Sequence, residues 1–165
     1  MCIRDRLYCN AVVEERLRTA FGYAFSDKET THPGATPQVE IHSIDVEPFE
    51  VLGATVTPIP MKHGPNFDVL GFRVGNVAYC TDVSEIPDSS MALLQGLDAL
   101  VLDALRPGGH ITHMSIEQAV AVARELNPGQ TYFTHCSCKV DYETVNAELP
   151  DRIELSYDGL RIRLT

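Results

Sequence analysis

Chemistry in this 165-residue chain falls to its histidines and to two aspartates. Imidazole is the commonest metal ligand and the only side chain that titrates unperturbed near neutrality. Of the six histidines, three stand where one kind of element gives way to another. His63 follows an apolar run over residues 55–60 and precedes Gly64-Pro65. His113 lies just ahead of Ser115, which opens a helix. His135 ends the run Thr131-Tyr-Phe-Thr134. Asp82 ends Val77-Ala-Tyr-Cys-Thr81 in the same way, and Asp103 ends Leu100-Val-Leu102. Strand ends that feed loops are where layered α and β folds place ligands and proton-transferring groups. An isolated loop histidine is ordinarily a solvated residue, and His32, His42 and His110 are read that way. The two aspartates have an alternative reading as caps of their own loops, Asp82 through the amide of Ser84. Asp158 beside Gly159 reads as a turn residue. Cys136-Ser-Cys138 is one residue short of the usual Cys-x2-Cys zinc spacing and has no second cysteine pair, so it is not read as a zinc site.

The elements that must hold these residues are legible from periodicity. Val12, Val13, Leu17, Ala20 and Phe21 recur at helical spacing and predict an amphipathic helix over residues 11–23. Residues 27–37, rich in Thr, Pro and Gly, read as a loop. Eight β-branched runs then predict strands over residues 39–44, 54–59, 69–74, 77–81, 99–103, 131–134, 153–157 and 160–164. Gly75-Asn76 and Asp158-Gly159 are hairpin turn signals, so the last two strands are expected to pair antiparallel. Helices are expected to open at Pro87 and at Ser115, the latter with a Ser115/Gln118 capping box and a stop at Asn127-Pro128-Gly129. A shorter helix is expected over residues 141–148. Strands interleaved with helices imply a layered α and β protein.

Composition narrows the function classes. With 44% hydrophobic and 22% charged residues the chain reads as one ordinary globular domain, without an apolar run near the ~20 residues of a membrane helix. Thirteen Lys and Arg against 23 Asp and Glu give a net charge of −10, which opposes nucleic acid and anionic lipid and favours a small substrate. Five cysteines, an odd number spread along the chain, do not form a secreted disulfide framework. Residues 1–6 have neither signal-peptide nor transit-peptide character. A cytoplasmic location is expected.

Six segments taken in order resemble a known family. They are Met61-Lys-His63-Gly, Gly71-Phe-Arg-Val-Gly-Asn-Val-Ala-Tyr-Cys-Thr-Asp82, Leu97-Asp-Ala-Leu-Val-Leu-Asp-Ala-Leu105, His110-Ile-Thr-His113-Met-Ser, Thr134-His135-Cys-Ser and Tyr157-Asp-Gly159. Together they resemble the metallo-β-lactamase-fold hydrolases, and within them the phosphoribosyl cyclic phosphate phosphodiesterase branch. The resemblance implies an α+β protein, the αββα metallo-β-lactamase sandwich, with two divalent metal ions, zinc or manganese, at its edge. It implies that His63 binds one ion, that Asp82 bridges both and takes part in catalysis, that His135 binds the other, and that His113 donates a proton to the leaving group. Such a pair of cations activates water and clamps the oxygens of a displacement at phosphorus. The substrate implied is a small cyclic or ester phosphate, with no nucleic acid and no membrane as partner, and a homodimer as the assembly to look for.

Two departures shape the expectation. The family's His-x-His-x-Asp-His motif does not occur in this chain, and Cys138 stands where relatives commonly carry histidine. The economical reading is an incomplete sandwich with its N-terminal half missing: residues 1–7 an unmatched leader, residues 8–165 the C-terminal portion of the domain, inactive alone. The runner-up activity is transfer-RNA 3′-processing, opposed by the −10 charge and the absence of a basic Gly-rich arm. A third reading is a non-catalytic remnant.

Overall fold

The computed structural model describes residues 4–25 and 37–163. The chain divides into two units, Met1–Glu47 and Pro48–Thr165.

In the first unit, β1 (Arg4–Cys9) and β2 (Gln38–Ser43) pair in parallel, Arg4 opposite Gln38 through Cys9 opposite Ser43. Parallel strands need a crossover, and α1 (Ala11–Ala20) lies between them in sequence. Asn10 caps it, its side-chain oxygen accepting from the Val13 N–H at 3.0 Å. The expected helix over residues 11–23 is thus shorter, and tightens into a 3-10 turn at Gly22–Phe25. The boundary expected between residues 7 and 8 falls inside β1. That strand was not anticipated because Arg4-Asp-Arg6 lacks the apolar alternation of a half-buried strand.

The second unit is built on a seven-stranded sheet. Its strands are β3 (Phe49–Val51), β4 (Ala54–Lys62), β5 (Asp68–Val74), β6 (Val77–Cys80), β7 (Ala99–Asp103), β8 (Gln130–Thr134) and β9 (Ile153–Leu155), in that spatial order. Neighbours from β3 to β6 are antiparallel and neighbours from β6 to β9 parallel. The parallel steps are made through α2 (Asp88–Leu93), α3 (Ile116–Leu126) and α4 (Tyr142–Glu148). Because β4 is two antiparallel steps from β6, it runs in the same direction as β6, β7 and β8. All four strands therefore end at one rim, where Cys80 is opposite Leu102 and Asp103 opposite Thr134.

The pleat sorts the strands into two faces. Ile59, Met61, Ala78, Cys80, Leu100, Leu102, Phe133 and Leu155 are buried on one, against Met91 and Leu94 around α2 and Ile116 and Ala119 of α3. Burying each large aliphatic or aromatic side chain of this kind contributes about 1.5–3 kcal/mol. The other face carries a cross-strand row of Phe72, Tyr79, Val101 and Tyr132 in direct register. Helices over one face of a sheet make one αβ half of the layered arrangement expected.

Local signals explain most boundaries. Ser115 accepts from the Gln118 N–H while the Gln118 side chain accepts from the Ser115 N–H, the full capping box. Asn127 closes α3 in the left-handed region at φ 47°, and Pro128 prevents continuation. Gly75-Asn76 does turn β5 into β6, with Gly75 alone at positive φ, 55°. Two expectations need correction. Residues 160–163 form no strand, and β9 stops at Leu155: after it, Asp158-Gly159 makes only a local turn closed by the Leu160 N–H donating to the Tyr157 carbonyl at 3.0 Å, so no antiparallel pair forms. Conversely β3 was not anticipated, because its hairpin turns at Leu52-Gly53 with both residues at positive φ, 52° and 82°, and leucine there is rare.

Two outcomes follow for stability. Ser115→Ala removes the hydroxyl that accepts from the Gln118 N–H while leaving the Ser115 backbone donor, and should cost about 1 kcal/mol, a fall of about 2–4 °C in melting temperature for a chain of this size; an unchanged melting temperature would mean the cap does not matter. Cys80 is fully buried, and burial pushes its thiol from 9.0 up to about 12. Its folded value lies above the unfolded one, so the contribution is whole below pH 9 and is lost as the pH rises from 9 towards 12. Denaturant titrations between pH 8 and 10.5 should show stability falling with pH, and Cys80→Ala should flatten that fall.

Candidate functional site

The rim formed by the ends of β4, β6, β7 and β8 gathers the chemistry-bearing residues. His63 follows β4 directly, and its Nδ1 is 2.8 Å from the Thr112 carbonyl oxygen. That oxygen only accepts, so the neutral ring carries its proton on Nδ1 and leaves the Nε2 lone pair free. The close approach depends on Gly64, at φ 70°, whose N–H donates to Ser84 Oγ at 2.8 Å. A Cβ at that position would stand 2.8 Å from Thr112 Cγ2.

His113 sits in the loop between β7 and α3, with Nδ1 2.8 Å from Asp103 Oδ2. Asp103 closes β7, is fully buried, and with the same oxygen accepts the Val83 N–H at 2.9 Å. Its other oxygen, Oδ1, is buried with no hydrogen-bond partner among the described residues. The Asp103–His113 bond places the imidazole proton on Nδ1 and presents Nε2 to the rim.

Asp82 and His135 arrive on strained backbone. Each lies just past its strand in the left-handed region, Asp82 at φ 53° and His135 at φ 62°. Aspartate and histidine are among the few side chains enriched there. Asp82 Oδ1 is 3.5 Å from His135 Nε2. Asp82 does not cap its own loop, since the Ser84 N–H donates to the Lys62 carbonyl at 2.7 Å. Asp103 does anchor a loop, through Val83, and orients His113 as well.

These residues form one cluster with His113 at its middle. The His113 ring centroid is 4.7 Å from that of His63, edge to face, and 4.6 Å from that of His135, stacked. Donor atoms of His63, Asp82 and His113 all lie within 4.8 Å of one another. Sequence reading paired His63 and Asp82 with His135 as the metal ligands; all four converge, but the tightest trio contains His113, because Asp103 pins that ring while His135 hangs from the turn after β8. The donor set fits a divalent transition metal. Two imidazoles offer Nε2 lone pairs, each with its other nitrogen hydrogen-bonded to a carbonyl or carboxylate, as metal-ligating histidines almost always are. The carboxylate of Asp82 completes a mixed nitrogen and oxygen set.

The remaining candidates separate cleanly. His110, read as solvated, is exposed, yet its ring centroid is 5.2 Å from that of His113 and its Nδ1 accepts from the Thr112 N–H at 3.3 Å. The spacing His-x-x-His just after Gly108-Gly109 was the signal for it. His42 stacks on Tyr8 at 4.8 Å, within the first unit. His32 lies outside the described residues. Cys136 donates to the Ala104 carbonyl at 3.4 Å, and burial, aided by the Asp103 charge, pushes its thiol up, away from the thiolate a metal would need. Among the described residues no helix is long and apolar enough to cross a membrane.

Comparison with known proteins gives the same architecture. The crystal structure of a new diphosphatase from the PhnP family superposes with a TM-score of 0.88 at 39% identity, over 99% of this chain and 60% of that one. Human tRNase Z, short form, superposes with a TM-score of 0.66 at 13% identity over 97% of this chain and 68% of that one, a likeness of fold alone. An octanoyltransferase from Porphyromonas gingivalis (strain ATCC BAA-308 / W83) is 28% identical over 157 residues, 93% of this chain. The chain spans 31% of that protein's length, and 60% of the diphosphatase. The beta-lactamase superfamily domain model matches residues 2–136, which takes in the sheet rim with His63, Asp82, His113 and His135, and the chain belongs to that superfamily, in its metallo-β-lactamase fold.

Proposed function

We propose that the protein carrying this chain is a metal-dependent hydrolase of a small phosphate ester, a phosphodiester or cyclic phosphate. The observation that carries this reading is His113, fixed through Nδ1 by a buried carboxylate and packed between His63 and His135. In its imidazolium form that ring keeps Nδ1–H on Asp103 and aims an Nε2 proton beside donors for a cation. The 39% identity to a protein described as a diphosphatase supports the phosphate-ester class. The net charge of −10 counts against a polyanionic RNA substrate, and with the cysteine pattern it favours a cytoplasmic protein without nucleic-acid or membrane partners, self-associating if at all as a homodimer.

His63, Asp82 and His135 would hold the divalent ions, zinc or manganese by the chemistry of the set, with His113 serving as proton donor rather than as ligand. Divalent ions supply fixed positive charge beside phosphoryl oxygens and make water acidic enough to attack phosphorus near neutral pH. The chain's own residues do the rest. Asp103 locks the His113 ring so that proton transfer takes place at Nε2 and nowhere else. As the new P–O bond to the water oxygen forms, with that water's proton passing to solvent, the old bond breaks and His113, as imidazolium, gives its Nε2 proton to the departing oxygen. Gly64 lets the His63 loop lie against Thr112, which keeps the His63 lone pair aimed at the rim.

The decisive experiment compares leaving groups. In the protein carrying this chain, loaded with manganese or zinc, His113→Ala should slow an alkyl phosphodiester by about 10²–10⁴-fold, the usual worth of general acid catalysis, and a p-nitrophenyl ester far less, with metal content unchanged. Equal losses on the two esters would remove the proton-donor role, lost metal would make His113 a ligand, and cleavage of precursor transfer RNA in preference to small esters would overturn the substrate class. The chain itself should bind Zn²⁺ more weakly than micromolar, because affinity follows ligand number and preformed geometry, with His135→Ala weakening it further; calorimetry showing two tightly bound ions per 165-residue chain would contradict this.

A further inference from the structure

Thr112 touches two imidazoles and imposes opposite proton positions on them. Its carbonyl oxygen accepts from His63 Nδ1 at 2.8 Å, while its N–H donates to His110 Nδ1 at 3.3 Å. The Thr112 hydroxyl, also 3.3 Å from that nitrogen, can donate to it as well, and an N–H cannot accept, so neutral His110 carries its proton on Nε2 where His63 carries it on Nδ1. One residue thus presents a lone pair on His63 and an N–H on His110. A lone pair suits a cation, whereas an N–H suits an anionic oxygen.

The position of His110 says where that oxygen would be. Its ring is 5.2 Å from the His113 ring, and it is exposed. The loop before it, Pro107-Gly108-Gly109, leaves open space: a Cβ on Gly108 or Gly109 would meet nothing within 4 Å. Gly108, at φ 77°, is held by its N–H donating to Glu117 Oε2 at 3.3 Å, so the loop has an anchor as well as room. With His113 serving the leaving oxygen, an atom within reach of both rings would belong to the group bonded just beyond that oxygen.

We propose that His110 is a substrate-positioning residue whose Nε2–H hydrogen-bonds an anionic oxygen on the leaving group, selecting phosphate esters that carry a second phosphoryl group there. This rests on the phosphate-ester reading above. A hydrogen bond to a charged oxygen is roughly twice as strong as one to a neutral hydroxyl, and two phosphoryl groups joined by one bridging oxygen put the cleaved bond and the second charge on neighbouring rings. An alcohol leaving group gives the same N–H only a weak acceptor.

The test has two arms. With a dialkyl diphosphate as substrate, His110→Ala should lower kcat/KM about 10- to 100-fold, as loss of a hydrogen bond to a charged group does, chiefly through KM, and by much more than it lowers kcat/KM for a dialkyl monophosphate diester. His110→Gln, which keeps an N–H donor, should recover most of the loss. In the metal-free chain labelled with nitrogen-15 histidine, His110 should appear as the Nε2–H tautomer and His63 as the Nδ1–H tautomer, and inorganic pyrophosphate should shift the His110 Nε2 resonance. Wild-type protein that turns over neither ester would sink the phosphate-ester reading itself. Turnover with equal losses on both substrates, or none, sinks the assignment of His110 alone, as does a His110 resonance in the other tautomer or unmoved by pyrophosphate.

Discussion

The geometry of the rim depends on one buried carboxylate. Asp103 ends a central strand, and a single oxygen of it accepts both the Val83 N–H and the His113 Nδ1–H. Taking a carboxylate out of water is expensive unless donors replace the lost hydration. The donors that do so come from two different loops, one after β6 and one before α3. The interaction that solvates the charge therefore also fixes the distance between those loops, and with it the position of His113 relative to Asp82. The Asp103 charge reaches Cys136 as well, adding to burial in keeping that thiol protonated. Replacing Asp103 would disturb orientation, loop closure and local charge together.

Topology supplies the other half of the explanation. Two antiparallel steps followed by parallel ones send β4, β6, β7 and β8 the same way, so their C-terminal ends share an edge. Each contributes a residue to the cluster by simple chain continuation. The crossing helices lie against one face and leave this edge open, and an open edge can receive a ligand without rearrangement of the core.

The parts of this arrangement that were legible in sequence are those with a local cause. Runs rich in β-branched residues marked the six strands β4 to β9, Ser115 and Gln118 marked the start of α3, and the strand-end positions of His63, Asp82 and His135, with His113 just ahead of α3, marked the cluster. What escaped had a non-local or atypical cause. Arg4-Asp-Arg6 pairs with β2 despite its charges. Leu52 adopts a backbone that leucine rarely takes, which hid the turn between β3 and β4. Residues 160–163 have strand-like composition and no strand beside them with which to form a ladder. His110 looked solvated because its relation to His113 depends on a hydrogen bond from the Thr112 backbone, of which the His-x-x-His spacing is the trace in sequence.

The left-handed backbone at Asp82 and His135 also limits how this site can drift in evolution. That region costs most side chains on the order of 1–3 kcal/mol, and glycine, asparagine, aspartate and histidine least. Single-nucleotide changes from an aspartate codon reach Asn, His, Gly, Ala, Val, Tyr and Glu, of which only the first three suit the backbone and only the first two keep a side-chain donor. From a histidine codon, Asn and Asp alone meet both conditions. Glutamate at position 82 and glutamine at position 135, conservative by chemistry, are penalised by conformation. The backbone at these two positions therefore favours a small exchange group of Asp, Asn, His and Gly, so that the loop conformation weighs on mutations before any selection on catalysis begins.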